Sequence, residues 1–451
     1  MKKLKLASRD GFGSSFGMLL ALVGSAVGLG NIWRFPYLVG ENGGAAFILI
    51  YLFFAVVFCM PLMLCEFVIG RRGGANAVSS FTRLAPGSKW GLAGLITVIT
   101  PFLILSFYSV IGGWGVEYFF RSVMFDFTAG GDIDFQAMFS DFVSGVWPPI
   151  IFALLFFVAS AAIVNTGVKN GIEKCSKVMM PVLFFLMLFL AVRSLFLPGA
   201  GAGVDYVFKP DFSSVTADTV VSAMGQAFFS LSIGIGILTT FASYSPKTDN
   251  MVRSTALTVT FDTLFALIAS CAIMPAVFAF GFSPSQGPGL VFIMLPKMFG
   301  EMPGGGIVAI VFFFAFFIAA ATSAISLLEV VVAYVSEKFG ISRRKAVSAV
   351  SAAIVPIMVA ISLSQGILSD VTVSGMELLS LFDYVTATFM ITAGGFIVDV
   401  FIGWKLGKKA FVDELTNGGS INLPCRVTDV LFFMIKYVIP VGILVIVLFS
   451  L

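Results

Sequence analysis

Residues Gly24 to Tyr37 read GSAVGLGNIWRFPY. They lie in an apolar run long enough to span a membrane, which takes about 20 residues, yet they make a poor helix. Gly24, Gly28 and Gly30 fall close together, and each Gly costs roughly 1 kcal/mol against Ala in a helix interior. Asn31 and Arg34 follow, at a depth where polar side chains are expensive. Irregular backbone survives at membrane depth only where it is buried in protein or lines a cavity. The stretch therefore reads as two half-helices joined by an unwound ligand site. The plain alternative is an intact Gly-rich helix packed closely on a neighbour.

The rest of the chain supports a membrane setting. Of 451 residues, 59% are hydrophobic and 11% charged, with a mean hydropathy of +1.03. A soluble domain carries about 25% charged residues. The net charge of +3 does not imply nucleic acid, because the positive charges sit in short loops. The chain has no histidine, which removes Ser-His-Asp and Cys-His catalysis and His-ligated zinc. Cys59, Cys65, Cys175, Cys271 and Cys425 lie in apolar runs or basic loops, so no extracellular disulfide framework is expected. The opening MKKLKLASRD followed by an apolar run has the look of a secretory signal. A cleaved signal is followed by a polar mature chain, whereas here a second long apolar segment comes soon after Arg34.

Eleven apolar runs are long enough to span: 14–38, 45–70, 91–124, 148–165, 173–196, 224–245, 253–281, 303–336, 344–363, 376–403 and 428–450. Basic residues collect at the start (Lys2, Lys3, Lys5, Arg9) and after alternate spans. These are Arg71, Arg72, Arg83 and Lys89; Lys169, Lys174 and Lys177; Lys247 and Arg253; Lys338, Arg343, Arg344 and Lys345; and Lys405, Lys408, Lys409 and Arg426. Together they are 21 of the 27 basic residues, all on one side. The opposite loops are acid-biased, with Asp126, Asp132, Asp134 and Asp141 in one of them. The positive-inside rule then puts the N-terminus in the cytoplasm, and eleven crossings put Leu451 outside. The connections 197–222 and 282–302 are rich in Gly, Pro and Ser and are expected to hold short surface helices.

The sixth span echoes the first. Gly225 to Tyr244 reads GQAFFSLSIGIGILTTFASY, interrupted at its middle by Ser230, Ser232, Gly234 and Gly236. Gly-interrupted spans in corresponding positions of two five-span blocks point to a transporter built from inverted repeats. The chain is expected to be a single all-α transmembrane domain over residues 1–451. Repeat one covers about 8–200 and repeat two about 220–404, and one additional helix covers 428–450.

Asn31, Ser230, Asp262, Thr322 and Ser323 carry oxygen into otherwise apolar spans, and two broken helices free backbone carbonyls. A small hard cation such as sodium needs an oxygen cage of this kind. Half-helix N-termini suit an anionic substrate group. Taken singly, a Thr or Ser in a membrane helix usually bonds back to its own backbone. Arg34, Glu66, Asp262, Glu329 and Asp383 are ionisable residues inside spans and are candidates for function. Arg34 and Asp383 lie near the outer ends of the first and tenth spans and suit either a gate or a fixed ion pair. Glu66 and Glu329 have no assignable partner and read as structural. No P-loop or dinucleotide motif is present, so the chain does not read as an enzyme.

These motifs resemble the neurotransmitter:sodium symporter family. GSAVGLGNIWRFPY with ENGG (Glu41 to Gly44) looks like its first span, FFSLSIGIG (Phe228 to Gly236) its sixth, and AAATSAISLLE (Ala319 to Glu329) its eighth. The eleven-span bacterial amino-acid branch is the best match. The resemblance implies that a substrate carboxylate meets the amides of Leu29 and Gly30 and the hydroxyl of Tyr108. The substrate amine would meet carbonyls of Ala26, Phe229 and Ser230, near Ser232. The first sodium site would use Ala26, Asn31 and Ser230. The second would use carbonyls of Gly24, Val27 and Ala319 with the hydroxyls of Thr322 and Ser323. Arg34 with Asp383 resembles the outer gate, and Arg9 with Glu337, near Ser243 and Tyr244, the inner gate. The side-chain pocket would be Ile104, Phe229, Ile235, Ser323 and Leu327, which favours a hydrophobic or aromatic amino acid. Amine carriers of the family hold an Asp where this chain has Gly28. Chloride-dependent members have Asn and Ser where this chain has Asp262 and Ala266, so Asp262 is expected to supply the negative charge beside sodium and to take up a proton on the empty return step.

The function expected is a sodium-coupled, chloride-independent amino-acid importer of the inner or plasma membrane, with two sodium sites, working by alternating access in the lipid bilayer. The alternatives are a proton-coupled or osmolyte carrier on the same fold, and a sensor or channel that moves nothing against a gradient.

Overall fold

A computed structural model describes residues 11–128, 130, 133–284 and 290–449. Helices account for the architecture, and no strand forms among the described residues. Nine of these helices are long and apolar enough to cross a membrane: Ala45–Gly73, Trp90–Val123, Trp147–Asn165, Val168–Leu195, Met251–Ala279, Gly305–Phe339, Arg343–Leu363, Leu378–Leu406 and Cys425–Leu448. A tenth is the bent pair Ser15–Ala26 and Gly30–Glu41, which turns by 45° at its break. The eleven spans expected from hydropathy include a second broken pair, Ala217–Ser230 and Ile237–Ala242, whose longer interruption keeps it outside that measure.

Local chemistry sets the helix ends. Ser14 caps the first half-helix, its Oγ accepting from Gly17 N at 3.0 Å. Thr216 and Thr219 form a reciprocal cap at the start of Ala217–Ser230. Asn250 caps Met251–Ala279 through Arg253 N at 2.9 Å. Each of these side chains satisfies a backbone N–H that has no partner in the first turn. The connections expected to carry surface helices do so, at Gly201–Phe208 and at Leu295–Glu301.

The third and eighth spans (Trp90–Val123 and Gly305–Phe339) cross against each other at the centre, and 72% of each apolar window is buried. The last span, Cys425–Leu448, is only 28% buried and lies at the periphery. Ser15–Ala26 packs on the eighth span, and the two halves of the sixth pack on Ala45–Phe54 and Met60–Gly73 of the second. Close approach is made possible by small residues. A Cβ at Gly70 would collide with the Thr239 carbonyl, and one at Gly394 with the Gly234 carbonyl. The sixth-span break is thus held closely between the second and tenth spans.

Candidate functional site

The first helix stops after Ala26 because Val27 turns to an extended conformation, φ −77° and ψ 97°. Gly28 follows with its Cα facing Tyr108 and Ser323, and a Cβ there would lie 3.0 Å from Tyr108 Oη. Helix resumes as a wide turn over Gly30–Arg34. Across from it, the sixth span unwinds through Ser232 (φ 55°), Gly234 (φ 76°) and Gly236 (φ 70°). A left-handed Ser costs of order 1–3 kcal/mol unless its surroundings hold it. Ser232 Oγ donates to the Ser25 carbonyl at 3.0 Å, which joins the two breaks directly.

Four half-helix ends therefore meet around one cavity. Its lining includes every residue expected to bind substrate: Ala26, Leu29, Gly30, Ile104, Tyr108, Phe229, Ser230, Ser232, Ile235, Ser323 and Leu327. Ser25, Gly28, Ile237 and Ile391 also line it. Ile391 carried no signal in the sequence, being one apolar residue of an apolar tenth span. Carbonyls end the first halves, and amides begin the second halves. The cavity thus offers partial negative and partial positive charge at separate points, with an apolar wall between. Leu29 N reaches Tyr108 Oη at 3.2 Å.

Beside the cavity is a buried polar knot. Asp262, fully buried in the seventh span, accepts from Tyr51 Oη at 2.7 Å, Ser230 Oγ at 2.8 Å and Asn31 Nδ2 at 2.9 Å. Asn31 Oδ1 accepts from Gly28 N and from Ser230 Oγ, each at 3.3 Å. Gln226 Nε2 donates to the Gly30 carbonyl at 2.7 Å. Asn31 and Ser230, two of the residues expected at the first sodium site, thus meet the Asp262 carboxylate directly.

Of the oxygens expected at the second sodium site, those of Ser323 and Gly24 and those of Thr322 and Ala319 lie near each other in pairs. Ser323 Oγ lies 3.4 Å from the carbonyls of Gly24 and Ser25. Thr322 Oγ1 bonds back to Ile318 at 3.2 Å and Ala319 at 3.0 Å, as an isolated membrane Thr does. Gly24 is where the two helices touch, since a Cβ there would stand 3.4 Å from Thr322 Cβ. An all-oxygen set of carbonyls and hydroxyls fits a hard monovalent cation. No group of three or more His, Cys, Asp or Glu gathers as a metal site among the described residues, so nothing here resembles a multi-carboxylate cage.

Of the two expected gates, the outer one lies within the described residues and its ion pair is not formed. Arg34 lies over the Phe229 ring, its Cζ 5.1 Å from the centroid, and its Nε and Nη1 have no hydrogen-bond partner among the described residues. No ion pair within 4.0 Å joins Arg34 to Asp383 among those residues. Arg9 lies outside the described residues. Glu337 accepts from Asn76 N at 2.9 Å and Nδ2 at 2.7 Å, so it holds the loop after the second span.

The two acids that the sequence left without partners have them. Glu66 accepts from Gly234 N at 2.7 Å, Thr239 Oγ1 at 2.9 Å and Thr239 N at 3.4 Å. It thereby satisfies the amides that unwinding exposes and caps the second half of the sixth span. Glu329 accepts from Tyr244 Oη at 2.7 Å and pairs with both terminal nitrogens of Arg343. Partners this far along the chain leave no local pattern to read.

Comparison with known proteins identifies the family and the fold. The family model described as the sodium:neurotransmitter symporter family matches residues 9–130 and 145–451. An uncharacterised sodium-dependent transporter of Bacillus subtilis, YhdH, is 37% identical, with 96% of each chain covered. An uncharacterised sodium-dependent transporter of Haemophilus influenzae is 33% identical, with 97% of each covered. The crystal structure of MhsT in complex with L-phenylalanine superposes with a TM-score of 0.92 at 40% identity, covering 98% of this chain and all of that one.

Proposed function

Since the chain belongs to the sodium:neurotransmitter symporter family and is a multi-pass, sodium-dependent transporter, we propose that it imports hydrophobic or aromatic amino acids with sodium and without chloride, by alternating access. The observation that carries the reading is the cavity between the two breaks, with main-chain ends on one side and Ile104, Phe229, Ile235 and Leu327 on the other. A free amino acid has the matching form: an ammonium for the carbonyls of Ala26, Phe229 and Ser230, a carboxylate for the amides of Leu29 and Gly30, and an apolar side chain for the wall. The relative with phenylalanine bound supports the substrate class.

In this reading sodium is cargo at two places. One ion sits among Ala26, Asn31 and Ser230, where the Asp262 carboxylate offsets its charge. The other sits among Gly24, Val27, Ala319, Thr322 and Ser323 and ties the first half-helix to the eighth span. Occupying both sites stabilises the unwound backbone that forms the cavity, so substrate and sodium favour the same arrangement. Two repeats, about 8–200 and 220–404, would rock against each other around the fixed site. The chain would lie in the cell membrane with its N-terminus inside.

The test is uptake by proteoliposomes of the purified protein. Labelled phenylalanine or leucine should accumulate above equilibrium when sodium is higher outside, and should not do so with potassium on both sides. Glycine or glutamate outcompeting Trp, Tyr, Phe and Leu would overturn the substrate class. Sodium-dependent binding without accumulation would identify a sensor instead.

A further inference from the structure

The first half-helix, Ser15–Ala26, is gripped at its first turn by a carboxylate from another span. Glu173, at the start of the fifth span, accepts from Gly13 N at 2.5 Å and from Ser14 Oγ at 2.8 Å. Lys177, one turn along the same helix as Glu173, meets that carboxylate at 2.6 Å. The Glu173 side chain is 4% exposed. It lies flat against the first helix because the surface beneath is bare, and a Cβ at Gly17 would run into its Cγ, Cδ and Oε1. The N-terminal turn of a helix carries partial positive charge, which favours an anion there, most of all where water is excluded.

The other flank of the same turn is held by Asp249, from the connection after the sixth span. Its Oδ1 takes the Ser15 hydroxyl, while its carbonyl takes Arg71 Nη1 at 2.7 Å and Asn417 Nδ2 at 3.2 Å. Asp249 is thus braced by a buried arginine. Glu173 instead rides on a wide helical turn, Val168–Glu173, that follows Gly167 at φ 101°.

We propose that Glu173 is a positioning residue of the transport cycle, latching the start of the first helix to the fifth span and so keeping the cytoplasmic path to the second sodium site shut. The inference rests on the alternating-access reading above. Its bonds to Gly13 and Ser14 run between elements, so they break when the first half-helix swings away, while the Lys177 pair lies within one helix and persists. Sodium held by Gly24 and Val27 draws the far end of the same half-helix to the eighth span. Latch and ion therefore favour one closed state, and additional sodium offsets the loss of the latch.

Met18→Cys, at a buried position on the half-helix, reports detachment in a background of Cys175→Ser, Cys271→Ser and Cys425→Ser, which removes the accessible native thiols. Purified protein is treated with a water-soluble maleimide over a range of sodium concentrations. Without sodium, Glu173→Ala should label about tenfold faster than the parent, and sodium should slow it to the parent's rate at about tenfold higher concentration. Glu173→Gln, which keeps an acceptor and loses the charge, should fall between. Equal rates at every sodium concentration would overturn the latch. So would fast labelling of Glu173→Ala that saturating sodium leaves unchanged, because that marks a helix loosened by lost packing. A parent whose labelling ignores sodium would overturn the sodium reading, while the variant-to-parent ratio would still decide the latch.

Discussion

Asp262 receives one donor from each of three spans: Asn31 from the first, Tyr51 from the second and Ser230 from the sixth. Two unit charges 4 Å apart interact by roughly 4 kcal/mol at an effective dielectric of 20, so on the chloride-independent reading proposed above a fixed carboxylate here would take the place of a bound anion. Uptake should therefore persist when gluconate replaces chloride. Asp262→Asn combined with Ala266→Ser removes the charge and adds a donor, and uptake by that variant should require chloride. Loss of wild-type uptake in gluconate would refute the assignment. Gly28 makes the complementary point about substrate. Its Cα looks directly at the Tyr108 hydroxyl, so Gly28→Asp would fill space that a substrate carboxylate needs. Like-charge juxtaposition costs several kcal/mol, so amino-acid affinity should fall on the order of 100-fold or more, measured by displacement of a labelled amino acid. Unchanged affinity in that variant would contradict a carboxylate at this point.

The two broken helices were legible at the level of the element because in each span clustered glycines coincide with polar residues at membrane depth, Asn31 and Arg34 in the first and Ser230 and Ser232 in the sixth. Gly28 and Gly30 in the first span and Gly234 and Gly236 in the sixth fall at the interruptions, while Gly24 stays within the first half-helix. What holds the breaks open was not legible. Glu66 lies far from Gly234 and Thr239 in the chain, and no local pattern names a partner at such separation. The open distance between Arg34 and Asp383 was invisible for a related reason, since sequence supplies the members of a pair but not whether they meet. The structure makes Glu66 the residue on which the sixth-span break depends. Glu66→Ala would leave the Gly234 and Thr239 amides buried without acceptors, at about 1–3 kcal/mol for each. The variant should melt several degrees below the wild type in detergent, and Glu66→Gln, which keeps one oxygen, should melt in between. A melting curve for Glu66→Ala that overlays the wild type's would show that the break is held by packing alone.

Over the whole molecule, the basic loops do more than bias composition, because they meet. Arg71, after the second span, binds Glu414 Oε1 at 2.7 Å, the Asp249 carbonyl at 2.7 Å and Asn417 Oδ1 at 2.6 Å. That one side chain joins the connections after the second, sixth and tenth spans. Arg343, after the eighth span, donates from Nε to the Val164 carbonyl at the end of the fourth, at 2.6 Å. Connections that follow even-numbered spans therefore lie at one end of the bundle, as an uninterrupted succession of crossings requires. If the sixth pair did not cross, the connections after it would fall at the opposite end, and Arg71 could not reach Asp249. Moving a Lys or Arg through the bilayer centre costs roughly 2.5–3.5 kcal/mol on insertion scales, and 21 of the 27 basic residues are assigned to this end, so the end that stays in the cytoplasm should be this one. An epitope tag at the N-terminus should then be unreactive in intact cells and exposed on permeabilisation, whereas a tag after Leu451 should react from outside. Both tags reacting from the same side would mean an even number of crossings, and with it the loss of either the sixth pair or the last span as a membrane element.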